Sequence, residues 1–247
     1  MSGAVIEPDV AGVRRAVIAH LKPPHMTADI WLIALAITTG TNLIDFATKP
    51  QPGEMSGAFI AAAAIRVIAV FWLAYAVIRR IAGVPRPFAP GAPLARYLGV
   101  TILLAIGFGL FSALGTIATG KDAAIADIWL AHMITTAIWY AFTIAILAWQ
   151  AALAIGDAGF PLRHIFARQQ GRLVPLWLAY AALVLPFAAV HFALTLVAVK
   201  IALPARALAA LSLVDGAVSA VQLAIGCALG VVAWKIALPL REGAASR

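Results

Sequence analysis

Residues 207–237 read ALAALSLVDGAVSAVQLAIGCALGVVAWKIA, and they decide the class of fold. A helix that crosses a bilayer needs about 20 mainly apolar residues. This run exceeds that length and contains only two charged residues, Asp215 and Lys235, the second of them near its end. The run therefore predicts a transmembrane helix that is long enough to tilt, kink or extend out of the bilayer.

Five further apolar runs precede it, at residues 30–48, 58–81, 97–119, 128–155 and 174–200. The run at 128–155 is also too long for a straight span. Of the 247 residues, 64% are hydrophobic and 11% charged, whereas soluble domains have about 45–50% and about 25%. The surplus of apolar side chains must face lipid. We predict an all-α integral membrane protein, a six-helix transmembrane bundle, at residues 30–237.

The distribution of Lys and Arg predicts the orientation, because cytoplasmic loops are enriched in both residues. Thirteen of the 18 fall on the side of both termini and four on the other, and Arg66 lies inside a run. We therefore expect a multi-pass protein of the cell (inner) membrane with both termini in the cytoplasm. The thirteen are Arg14, Arg15, Lys22, Arg79, Arg80, Arg86, Arg96, Arg163, Arg168, Arg172, Lys235, Arg241 and Arg247.

The cytoplasmic segment 1–29 contains a predicted amphipathic helix at residues 10–22, for which Asp9 is the expected N-cap. The pattern favours an interfacial helix on the membrane surface; the alternative is a solvated helix that packs on its own loops. Basic, partly amphipathic segments also precede the third and fifth runs, which suggests three helical hairpins. Convergence through the charge rule explains them equally well. Residues 238–247 form a cytoplasmic tail. Contacts with anionic lipid headgroups or a partner are expected for Arg14, Arg15, Arg163, Arg168 and Arg172.

Ionisable residues inside the runs are the strongest functional indication, since each costs about 2.5–3.5 kcal/mol at the bilayer centre. Their depths place all five in the outer half of the membrane, where they would line a polar cavity open to the outside. Simpler interpretations are an ion pair between Asp45 and Arg66 and a hydrogen bond between His191 and Asp215. A two-histidine, one-carboxylate metal site is the least favoured interpretation. The five are Asp45, Arg66, His132, His191 and Asp215.

Recognised catalytic motifs are absent: the chain has no GxSxG, HExxH or phosphate-binding loop. The single cysteine, Cys227, excludes an internal disulfide and a cysteine-based zinc site. No basic stripe interleaved with aromatic residues indicates nucleic acid. We predict neither a cofactor nor a bound metal.

The stretch from Gly156 to Pro186 combines an acidic helix end with an arginine-bearing amphipathic segment and a following span. It resembles bacterial six-helix membrane domains, including the membrane domain fused to some glycerophosphoryl diester phosphodiesterases. The resemblance implies an accessory domain and carries over no catalytic residue. Gln169 stands where that pattern often has serine. The matching residues are Asp157, Pro161, Leu162, Ile165, Phe166, Arg168, Gly171, Arg172 and Pro186.

Three functions fit these observations. The first is a non-enzymatic protein of scaffold, accessory or lipid-interacting type. A homo-oligomer or a complex with a protein partner fits this role. The second is a small transporter or channel that uses the polar cavity. The third is an intramembrane lipid-modifying enzyme with His191 and Asp215 as acid and base. A cavity shared by the polar residues would favour transport or catalysis, and separate local ion pairs would favour a scaffold.

Overall fold

The computed structural model describes residues 6–48, 57–120, 123–157, 159–160, 169, 171–201 and 203–238, with only the backbone at 45–48, 116 and 199–200. These parts of the chain are helical and contain no strand. In chain order the helices are α1 Val10–His20, α2 Ala28–Thr48, α3 Gly57–Ile81, α4 Ala92–Thr119, α5 Ile125–Thr143, α6 Ile146–Ile155, α7 Leu173–Leu183, α8 Leu185–Lys200 and α9 Ala205–Ala237.

Several of these helices are long and apolar enough to cross a membrane. Within the described residues α3, α4, α5 and α9 qualify individually, and α7 with α8 forms a fifth candidate bent by 42°. Along α4, Leu103, Leu110 and Ile117 are about 70% exposed, as expected of side chains in contact with lipid. The all-α, multi-pass, membrane-embedded character is therefore confirmed.

Two of the apolar runs are interrupted, each for a local reason. Run 128–155 divides into α5 and α6 at Ile144 and Ala145. Run 174–200 divides at Val184, two residues before Pro186. Proline has no amide hydrogen, so Pro186 cannot complete the helical hydrogen bond to the preceding turn. Run 128–155, which is too long for a straight span, thus forms two helices. The bend in run 174–200 lies at its proline.

Helix α9 is the central element and packs against α2, α3, α6 and α8, with α1 and α7 near its carboxyl end. Its contact with α2 is especially close. Thr38 Oγ1 donates to the Gly216 carbonyl at 2.7 Å, and a Cβ added at Gly216 would lie 2.8 Å from Thr39 Cα. Only glycine permits this approach, which fixes the neighbouring residue, Asp215, against α2.

Helix α1 docks on the end of the bundle near α7 and the last turns of α9. Asp9 is its N-cap, as predicted, and its side chain accepts from the Gly12 amide at 2.6 Å. Val13 and Val17 are fully buried in the core cluster of the protein. Much of the apolar face of α1 is therefore used in packing against the bundle, while Arg14 and Arg15 are exposed.

Candidate functional site

Asp215 is the most deeply buried carboxylate in the described part of the chain, with 2% of the residue exposed. Asn42 of α2 donates its Nδ2–H to Oδ2 at 2.8 Å. His191 Nδ1 of α8 lies 2.6 Å from Oδ1. A buried carboxylate needs such partners because burial without them is costly. The structure thus brings together His191 and Asp215, the two residues expected to meet across the last pair of helices.

His191 is held by a second polar group on α9. Ser219 lies four residues after Asp215, on the same helical face, and its Oγ is 3.1 Å from His191 Nδ1. With the carboxylate opposite, Nδ1 carries the hydrogen and donates it. The side-chain hydrogen bonds of His191 to described residues all use Nδ1.

Serine, histidine and aspartate occur together here, but not as a catalytic triad. In a triad the aspartate contacts one imidazole nitrogen and the serine the other, so that the ring can accept the serine proton. Here Ser219 and Asp215 both contact Nδ1 of His191. This geometry does not activate the Ser219 hydroxyl as a nucleophile.

Arg66 of α3 completes what we call the cavity network, defined as Asn42, Arg66, His191, Asp215 and Ser219. Arg66 interacts electrostatically with Asp215 and lines the same cavity as Asn42, His191 and Ser219. The predicted partner of Arg66, Asp45, has a side chain outside the described residues, so that ion pair stays a prediction. The structure also places Arg66 within the electrostatic field of Asp215.

His132 is near this network but does not line the cavity. Its ring stacks on Phe192, with centroids 3.7 Å apart, and its Nδ1 lies 3.2 Å from Ser112 Oγ. It does interact electrostatically with His191. The ring of His132 thus packs on Phe192, and one outward-facing cavity shared by all five ionisable residues stays a prediction. Among the residues the structure describes, no three His, Cys, Asp or Glu are placed to hold a metal ion.

The cavity has a volume of about 420 Å³, within the range of about 300–1,000 Å³ typical of ligand pockets. It extends along α9 from Ser219 to Gly230, a distance of about 16 Å at 1.5 Å per residue. Four members of the cavity network, Asn42, Arg66, His191 and Ser219, line one end, and Asp215 is buried beside them. The middle is largely apolar and is lined by Val67, Val70, Phe71, Val184 and Leu223.

The other end of the cavity is lined by aromatic and uncharged polar side chains. The rings of Tyr140 and Tyr180 stack with centroids 4.2 Å apart, and Tyr97 lines the same region. Gln150 Nε2 donates to Thr101 Oγ1 at 3.2 Å. The sequence does not reveal this cluster, because neutral residues on four different helices have no common spacing. Ser219, by contrast, was recognisable from its spacing of four residues from Asp215.

A second group, of basic residues, which we call the basic end, consists of His20, Arg79, Arg80, Arg172 and Lys235. Arg79 Nη1 donates to the Ala154 carbonyl at 3.1 Å, and Arg172 donates to the Ile236 carbonyl. Both acceptors lie in the last turn of a helix, where carbonyls lack helical partners and the dipole favours cations. Arg172 therefore has a structural contact, while Arg163 and Arg168 lie outside the described residues.

The basic end also contains a histidine with a shifted pKa. Burial, then the charge of Lys235 and then that of His25, lower the pKa of His20 to about 4. Lys235 Nζ is 3.2 Å from His20 Nε2, and the His20 and His25 rings are 4.8 Å apart. A proton on His20 would place a second cation against the ammonium group, so this imidazole stays neutral in the folded protein.

Comparison with known proteins identifies no relative. No protein-family model matches the chain, and no curated protein or solved structure is significantly similar to it.

Proposed function

We propose that six transmembrane helices span the inner membrane, with both termini in the cytoplasm. The six spans are α2, α3, α4, α5 with α6, α7 with α8, and α9. The thirteen-to-four distribution of Lys and Arg supports this orientation. So does the contact between Lys235, near the end of α9, and His20 of α1. The basic end would then face the cytoplasm, and the cavity network would lie in the outer half of the bilayer.

Within this topology the protein acts as a small proton-coupled transporter. The observation that carries the proposal is the contact between the buried Asp215 and His191, which lines the charged end of a cavity between the helices. Ionisable residues in the membrane are expensive and typically mark ion or substrate pathways. The imidazole of His191, in contact with the carboxylate of Asp215, supplies a site for the coupled proton.

The interrupted helices support the same function. Transporters often place substrate sites beside discontinuous helices, whose breaks also allow movement. Val184, at the bend between α7 and α8, lines the cavity, and α8 carries His191 one and a half helical turns beyond Pro186. Rotation at this bend would move His191 relative to Asp215 and so couple protonation to cavity shape.

Proteoliposomes that enclose a pH-sensitive dye test this function. Addition of a solute from a panel of organic anions, cations and neutral compounds should drive proton uptake for at least one class. Asp215→Asn should reduce that uptake at least tenfold, because the amide cannot support a charged His191. Asp127→Asn, an exposed residue in the first turn of α5, is the matched control. Equal fluxes in Asp215→Asn and wild type would contradict the proposal.

A second function, interaction with anionic lipids as a scaffold or accessory protein, is favoured by the arrangement of α1. Its buried face fixes the helix to the bundle while Arg14 and Arg15 stay exposed. In the proposed topology both arginines would lie at the cytoplasmic headgroups, with α1 as an interfacial helix. The resemblance to six-helix accessory domains agrees with this role, which is compatible with transport.

A further inference from the structure

The cavity combines a charged end with an apolar wall, and this pattern bears on the chemistry of the substrate of the proposed transporter. Both carboxylate oxygens of Asp215 already have protein partners, Asn42 and His191. The carboxylate is thus committed to holding the network together and is poorly placed to bind a cationic ligand.

Arg66 is the described residue in the lining that is suited to an anionic headgroup. A guanidinium has five N–H donors and can bind a carboxylate or sulfonate with two of them while its other donors keep protein contacts. The apolar residues Val67, Val70 and Phe71 follow it on α3 and line the same cavity. A molecule bound by its acidic group at Arg66 would therefore lay its remaining atoms against an apolar wall.

The charges in the cavity network link the binding of an anion to the binding of a proton. The groups that face His191 are Asp215 and Ser219 of α9, with Asn42 of α2 beside the carboxylate and His132 of α5 within electrostatic reach. A proton on His191 adds one positive charge, which one anion neutralises. Asp45 is three residues beyond Asn42 on α2, and its side chain is outside the described residues.

Resting on the proposed transport function, we infer that the substrate is an organic monoanion with an apolar tail, bound together with one proton. The acidic group binds at Arg66, the proton resides on His191, and the tail lies along the apolar middle of the cavity toward the tyrosines. The cavity limits the extended substrate to about 16 Å.

Linear alkanesulfonates from butane- to octanesulfonate provide the probe, because a sulfonate stays anionic at all pH values used. Calorimetric titration of the protein in lipid nanodiscs, corrected with empty nanodiscs, measures binding at about pH 6 and about pH 8. Each added methylene should tighten binding about fourfold, from about 0.8 kcal/mol per buried CH₂. Binding should also be tighter at the lower pH.

Three variants test the assigned residues. Arg66→Gln should weaken sulfonate binding at least tenfold, and Arg66→Lys should restore part of it. Arg206→Gln, an exposed cation at the start of α9, should leave binding unchanged. His191→Gln should abolish the pH dependence while keeping the preference for longer tails. If Arg66→Gln does not fold, Arg66→Lys and the chain-length series on the wild type remain decisive.

The inference is overturned if affinity is independent of tail length, if the Arg66 variants bind like the wild type, or if protonation of the protein weakens binding. The solute panel in proteoliposomes separates this failure from failure of the function. Proton flux driven only by cations or neutral compounds would exclude the anionic substrate and retain transport. Absence of flux with every class would overturn both.

Discussion

The two ends of the helix bundle use charged side chains differently. In the cavity network, Asp215 and His191 bond to each other and to neutral side chains beside a cavity. At the basic end, Arg79 and Arg172 donate hydrogen bonds to main-chain carbonyls in the last turns of α6 and α9. Carbonyls at helix ends are fixed acceptors with no charge state of their own. The basic end is therefore suited to holding helices in place, and the cavity network is suited to the proton movement that we propose.

This difference shows why a charged residue in an apolar sequence is an incomplete functional clue. Arg66 and Arg79 lie on the same helix and differ by 13 positions, yet only Arg66 lines the cavity. Arg79 is buried against a helix end and over the Tyr75 ring. Variants at the two ends should consequently separate stability from transport.

The largest effect on stability is expected at the contact that positions the cavity network. Gly216→Ala should lower the free energy of unfolding by about 3 kcal/mol, the upper range for overpacking, because the new Cβ meets the backbone of Thr39. Thermal unfolding in detergent measures it. Gly40→Ala on α2, where a Cβ meets nothing within 4 Å, is the control and should be neutral or stabilising. Equal stability of both variants would refute the close α2–α9 contact.

At the basic end, Arg79→Gln should cost about 2 kcal/mol, since it removes a charge-assisted hydrogen bond and leaves the Ala154 carbonyl with one donor fewer. SDS titration measures the loss. Arg96→Gln, an exposed cation on α4, should change stability little. Solute-driven proton flux per folded molecule should be the same in Arg79→Gln and wild type. A lower proton flux per folded molecule in Arg79→Gln would show that the basic end also takes part in transport.

The basic end should also make stability dependent on pH. The pKa of His20 is about 4 in the folded protein and about 6.5 in an unfolded chain. Between these values the unfolded state binds more protons, so stability is full above the unfolded pKa and falls as pH decreases through this window. The expected loss is about 1 kcal/mol between about pH 7 and about pH 5.5.

Replacement of His20 identifies the source of that dependence. His20→Gln should flatten the pH profile of thermal stability, whereas His25→Gln, at the neighbouring ring, should flatten it less. An unchanged profile in His20→Gln would show that another group is responsible.

The smallest effect per residue is expected for lipid contact. Arg14→Gln combined with Arg15→Gln should reduce stabilisation by anionic lipid, at about 1 kcal/mol or less for each residue. The measurement compares thermal unfolding in nanodiscs of anionic and zwitterionic lipid. Lys22→Gln, outside α1, is a control for net charge. A difference between lipids that survives in the double variant would place lipid recognition elsewhere.

Sequence patterns predicted where the helices lie and which single pairs of residues meet. They did not predict which side chains line one cavity together. Apolar runs located the helices. The depths of His191 and Asp215 within the last two runs correctly implied that these residues meet. Depth along a helix does not define the direction of a side chain, so the sequence could not show that the ring of His132 packs on Phe192. The bend at Val184 arises where Pro186 stands, but the break between α5 and α6 has no proline. There Gln169, fully buried, donates to the Ala145 carbonyl, a contact that spans 24 residues.

By itself, the sequence determined that lipid surrounds most of this chain and which residues are costly to place there. Both follow from the free energy of transfer, which depends on composition and segment length alone. Tertiary structure decided that Asn42, Arg66, His191 and Ser219 surround Asp215 at one end of a cavity and that Arg79 and Arg172 do not. The rotation and packing of each helix determine those contacts, and they depend on side chains from several helices at once.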